Sequence, residues 1–152
     1  MNAETIVGFV NLFCVGILAG EEFVIRYGVR APVARLDARP QIELRQALIR
    51  SLRILVPAVF AATILSGAAV TIVAGVDHGF GFRCAGLLAL LTFIGITLAG
   101  TVPINAAALD WEAAAPPPNW RALITRWERL DTARSWAAMM AFALFLTAMA
   151  LQ

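Results

Sequence analysis

The sequence has no lysine, one histidine, one tyrosine and two cysteines. The missing lysine carries no mechanism: an alanine-rich chain whose twelve basic residues are all arginine reflects a GC-rich coding sequence. The single His78, in the turn GVDHGFG, cannot build a histidine metal centre alone. A metal would need carboxylates or ligands from another chain. No metal is therefore expected, and His78 reads as a solvated loop residue. Cys14 and Cys84 stand apart with no CxxC, which excludes a quinone-coupled disulfide oxidoreductase, and both are expected as packed thiols. Charge is scarce too, at 14% of the 152 residues against 61% hydrophobic, with a net +2 that is clustered. That balance excludes a disordered chain, a secreted disulfide scaffold and a nucleic-acid binder. No nucleotide loop, serine nucleophile motif or haem ligand pair is present.

Long uncharged runs dominate what is there. Residues 5–20 form the first, interrupted only by Asn11 and ending at the adjacent acids Glu21 and Glu22. Sixteen residues rise about 24 Å, short of a bilayer core of about 30 Å. The helix must therefore continue to about residue 27, leaving both glutamates near a membrane boundary, where acids are functional candidates. The leader MNAET carries no basic residue, so this run reads as a span and not a cleaved signal. Spans are expected at about 5–27, 54–74, 84–109 and 134–151, giving one transmembrane domain over 1–152. Seven arginines lie between spans one and two and four between spans three and four, but only Arg83 lies between spans two and three. The positive-inside rule then puts both long connections in the cytoplasm and both termini outside, in a bacterial inner membrane.

Gly28, Pro32 and Pro40 are expected to break the first connection. Beyond them, 41–53 has helical periodicity and runs without a breaker into span two, predicting one helix of about 34 residues. Pro116, Pro117 and Pro118 make a stiff spacer, and Asn119 is the expected N-cap of a helix starting at Trp120. Pro57 and Pro103 are expected to kink their spans. The fold class is all-α: an integral membrane four-helix bundle with helices two and four extended into the cytoplasm.

Helical angles of 100° per residue sort the charges by face. Trp120, Leu123, Ile124, Trp127, Asp131, Arg134 and Ala138 share one stripe, with Arg121, Thr125 and Arg129 opposite. Glu128 is expected to face away from this stripe. Ile42, Arg45, Ile49, Leu52 and Val56 form a second stripe, and Asn11, Val15, Leu18, Glu22 and Arg26 a third. On the third span Thr101 aligns with Asn105. The candidate site is therefore Glu22, Asp131 and Arg134 as catalytic groups and Arg26, Arg45, Asn105 and Trp127 as ligand-binding groups, gathered at the cytoplasmic mouth. Three arginines against two carboxylates leave room for one anion. Two interpretations stay open: an ion-pair lattice that fastens helix ends, or a ligand pocket. The four tryptophans read as an interfacial belt, with Trp127 also placed to floor a pocket. Gly95 and Gly100 read as close helix packing.

The segment TVPINAAALDWEAAAPPPNWRALITRWERLDTARSW resembles the anthrone-oxygenase-like family of small four-helix membrane proteins. VPIN closes the third span, a proline linker and a tryptophan follow, and WxxLxxxR leads into the fourth. The stretch LAGEEFVIRYGVRAPVARLDARPQ fits the family's first connection more loosely. The resemblance implies four spans and, as in fungal members, oxidation of anthrones to anthraquinones by molecular oxygen with no cofactor. Asn105, Trp127 and Arg134 occupy recurrent family positions, whereas Asp131 stands where an imidazole or amide is expected. If that chemistry is shared, Glu22 or Asp131 removes a benzylic proton, Arg45 or Arg134 stabilises the enolate, and Trp127 stacks on a flat substrate. The expected partners are the lipid bilayer and a small hydrophobic aromatic or quinone-like ligand, with no nucleic acid. The competing function is a noncatalytic module that binds a lipid or partner helix. A homodimer through the outer faces is neither required nor forbidden.

Overall fold

The computed structural model describes residues 3–151. Seven α-helices follow one another: α1 Ala3–Val24, α2 Arg30–Ala34, α3 Ala38–Leu52, α4 Leu55–Ala74, α5 Phe80–Ile96, α6 Val102–Leu109 and α7 Trp120–Ala150. Two π-turns, Ile25–Val29 and Thr97–Thr101, join α1 to α2 and α5 to α6 without a break. Four helical stretches are long and apolar enough to cross a membrane: Ala3–Ala34, Leu55–Ala74, Phe80–Leu109 and Trp120–Ala150. They form the expected integral membrane bundle, in which α1 packs on α4 and α7, and α5 on α4 and α7. Val15, Leu18, Val70, Leu90, Phe93, Ala138, Ala141 and Phe145 fill the centre. Phe13, Leu65, Ile72 and Leu88 point outward, where lipid would solvate them.

Prolines decide where the helices deviate from the expected pattern. The predicted 34-residue helix is two helices, α3 and α4, parted at Arg53 and Ile54. Pro57 explains the break, because it has no N–H for the Arg53 carbonyl four residues back. By contrast, Gly28 and Pro32 do not end the first helix. The chain winds past them at π spacing, with Arg30 N–H bonded to the Ile25 carbonyl, so the missing N–H of Pro32 falls beside an already widened turn. Pro40 is accommodated in the first turn of α3, where an N–H would have no partner in any case. The same device precedes Pro103, where Val102 N–H reaches the Thr97 carbonyl. Asn119 sits at the N-cap position of α7 but makes no side-chain cap. Trp120 N–H bonds the Pro117 carbonyl instead.

A second, smaller core lies at the arginine-rich end. Ile42, Ala108, Trp111, Trp120 and Ile124 pack there, so Trp111 and Trp120 are core residues and not a lipid belt. Only Trp136 is exposed. Gln46 fixes α3 to this core by donating at 2.9 Å to the Ala108 and Trp111 carbonyls, which closes the end of α6.

Phe145 packs so close to Gly86 that a Cβ there would stand 2.8 Å from its ring. Gly86→Ala is expected to cost about 1–3 kcal/mol by overpacking, read from thermal unfolding in detergent. Gly95→Ala is the control. Contrary to its reading as a packing glycine, a Cβ at Gly95 would meet no described atom of another element within 4 Å, whereas one at Gly100 would meet Leu130. Cys84 is likewise exposed and not packed, while Cys14 is half-buried.

At the opposite end the turn between α4 and α5 is tied by Arg83, which is buried although the sequence places it in a loop. Arg83 Nη2 donates at 2.8 Å to the Gly75 carbonyl and at 2.6 Å to Asp77 Oδ1, which also accepts from Gly79 N–H at 2.8 Å. These bonds hold the Asp77 carboxyl below the usual carboxylate range. A depressed folded value means stabilisation that is complete above about pH 4 and lost as the pH falls through that value. Wild type is therefore expected to lose melting temperature between pH 5 and pH 2 by more than Asp77→Asn does.

Candidate functional site

Three charged side chains predicted from the stripes meet between α1 and α7. Glu22 and Asp131 are both wholly buried, and Arg134 Nη2 lies 3.0 Å from Glu22 Oε1 and 3.0 Å from Asp131 Oδ1. Ser135 Oγ is 2.9 Å from Glu22 Oε2 and 2.8 Å from the Asp131 carbonyl, so its one proton serves either acceptor. Arg30 approaches from α2, 3.9 Å from Asp131 Oδ2 and 3.4 Å from Glu128 Oε2, and donates to Thr132 Oγ1 at 3.0 Å. Buried charge is tolerable only when compensated in this way.

Beside this lattice lies a cavity of about 440 Å³ bounded by both π-turns, α2, the α3–α4 junction, α6 and α7. Its walls are mostly aliphatic, including Ile25, Val29, Leu48, Leu52 and Val56. Arg45, Asn105, Trp127 and Arg134 line it, so four of the seven predicted residues share one wall system. The Arg45 guanidinium stacks 4.5 Å above the centroid of the Trp127 ring. Burial pulls the Arg45 pKa down while Glu128 and Asp131 hold it up. Even so, a guanidinium stays charged at neutral pH. Arg45 Nε, Asn105 Oδ1 and Trp127 Nε1 are buried and have no hydrogen-bond partner among the described residues.

Several predicted placements differ. Arg26 is not at the cavity: it donates to the Thr132 carbonyl at 3.0 Å and lies over Tyr27 and Trp136 on the outer surface. Past Val24 the helix winds at π spacing, so the 100° rule no longer projects its face, and Arg30 occupies the inner position instead. Glu22 and Asp131 sit behind the cavity and not on its wall, whereas Glu21 and Glu128 line it. Glu128 therefore faces inward, against expectation. With Arg30, Glu21 and Glu128 added, the count of three arginines against two carboxylates no longer holds. The adjacency of Glu21 to Glu22 and the i,i+4 spacing of Arg26 and Arg30 were the available signals. Among the described residues no group of three or more histidines, cysteines or acids converges as a metal site.

The model of the anthrone oxygenase family matches residues 46–144. The chain belongs to this family. No curated protein and no solved structure matches it. The anthrone oxygenase match includes Asn105, Trp127, Asp131 and Arg134 but starts beyond Glu21, Glu22, Arg30 and Arg45. The part of the site lent by the first span and by Arg45 thus lies outside the matched segment.

Proposed function

We propose that this protein is a membrane-embedded oxygenase-like enzyme acting on a small hydrophobic aromatic or quinone-like molecule, with molecular oxygen as oxidant and no resident cofactor. The observation that carries this is the cavity itself. It is sized within the roughly 300–1,000 Å³ of small-molecule sites and combines aliphatic walls with a few buried polar atoms that lack partners. The noncatalytic alternative needs ion pairs that fill the space. The Glu22 and Asp131 carboxylates pair with Arg134 behind the wall and the Arg30–Glu128 pair runs along it, which leaves the cavity open between them. Two π-turns border the cavity, and such turns recur at functional sites.

In this scheme a flat substrate lies against Trp127, whose indole N–H and the Asn105 amide orient its polar edge. Arg45 receives negative charge as an enolate forms, a preorganised cation where that charge develops. Arg134 is held by Glu22 and Asp131, which keeps its charge at the wall. The arginine-rich mouth faces the cytoplasm of a bacterial inner membrane, with both termini outside. The test is oxygen uptake by purified protein in mild detergent, with anthrone as probe. Uptake above the protein-free rate, together with formation of anthraquinone, is expected. Uptake equal to the protein-free rate, with no probe bound, would leave the noncatalytic alternative.

A further inference from the structure

We propose that Glu21 is the group that takes the proton from the substrate, while Glu22 serves to hold Arg134. The inference rests on the oxygenase reading and assigns a task that the sequence stripes gave to Glu22 or Asp131. Successive residues of α1 point about 100° apart, so the two glutamates cannot face the same way. Glu22 turns to α7, where the Ser135 hydroxyl reaches one of its oxygens and Arg134 pairs with the other at 3.0 Å. Asp131 is committed to Arg134 and lies near Arg30. Neither reaches the cavity wall. Two acids do: Glu128, which Arg30 holds at 3.4 Å, and Glu21, which has no ion pair or hydrogen bond among the described residues. A general base needs a free lone pair within reach of the proton it removes. Of the four acids only Glu21 is both on the wall and uncommitted, and it shares that wall with the cation Arg45.

The step is a simple transfer. The C–H bond at an acidic carbon flanked by aromatic rings breaks, and its proton passes to a Glu21 carboxylate oxygen. The electron pair left behind delocalises onto the conjugated carbonyl oxygen as an enolate beside Arg45. Molecular oxygen takes up those electrons only afterwards, so proton removal can be observed without it.

The experiment follows anthrone in deuterated buffer under argon, with deuterium gain at its methylene carbon read by mass spectrometry. Wild type is expected to accelerate exchange, and Glu21→Gln to lose about 100-fold or more of that acceleration. Exchange by Glu21→Gln equal to wild type would overturn the assignment. Wild-type exchange without oxygen uptake in air would leave Glu21 standing and sink the oxygenase reading. No wild-type exchange would overturn both. A second measurement needs no substrate: a hydrophobic carbodiimide in the detergent micelle is expected to modify Glu21 and to leave Glu22 and Asp131 untouched. An adduct on Glu22 with Glu21 unmodified would overturn the proposal.

Discussion

Arg134→Leu is expected to destabilise the protein by about 3–5 kcal/mol, because it strands two buried carboxylates that share one cation. Glu22 and Asp131 are both wholly buried, and each lies 3.0 Å from the same Arg134 nitrogen. Without it, among the described residues, Asp131 keeps only Arg30 at 3.9 Å as an ion pair, and Glu22 keeps only the Ser135 hydroxyl. The loss corresponds to a fall in melting temperature on the order of 10 °C in mild detergent. The triple variant Arg134→Leu, Glu22→Gln, Asp131→Asn is expected to recover most of the loss, since no uncompensated charge remains. A single variant that melts with wild type would show that water or detergent already compensates these acids.

Arg45→Gln is expected to behave in the opposite way, keeping the fold and losing activity. Arg45 has no ion pair within 4 Å among the described residues, and its stacking on Trp127 is worth about 1 kcal/mol. Its removal should therefore barely move the melting temperature. Loss of a preorganised cation at the point where charge develops costs about 100- to 1,000-fold in turnover. Oxygen uptake with anthrone as probe measures this directly, and a fall of less than tenfold would remove Arg45 from the proposed enolate-binding role. The pair of variants separates a cation that maintains structure from one available to a ligand, although both border one cavity.

Much of this arrangement was legible from angular arithmetic on regular helix. Within α7 the spacing of Trp120, Ile124, Asp131, Arg134 and Ala138 places all five inward, and all five are buried. The opposite residues Arg121, Thr125 and Arg129 are exposed, as the same arithmetic requires. Apart from Glu128, which turns inward on regular α7, the faces were misread where the winding changes. A π-turn is closed by one bond to the fifth residue back, a choice that depends on where Gly28, Pro32, Gly100 and Pro103 meet neighbouring helices. Arg26 and Arg30 lie on or just past such a turn, and their faces could not be projected. Periodicity likewise gave Gln41–Arg53 as helix but could not register that Pro57 leaves the Arg53 carbonyl unanswered. Trp111 and Trp120 were misread for a different reason. Indole suits both a lipid headgroup layer and a small protein core, and composition alone cannot distinguish them.

The two-residue interruption at Arg53 and Ile54 has a consequence for how this architecture tolerates change in chain length. Since α3 is anchored to the end of α6 through Gln46, its azimuth has a support besides the screw of α4. An extra residue inserted at Arg53–Ile54 is expected to be absorbed there, leaving Arg45 above Trp127. An extra residue between Trp127 and Asp131 has no such slack to enter. It rotates everything on one side by about 100° and puts the indole and the aspartate on different faces. Length variation among related chains should therefore collect at the joint and be excluded from that one turn of α7.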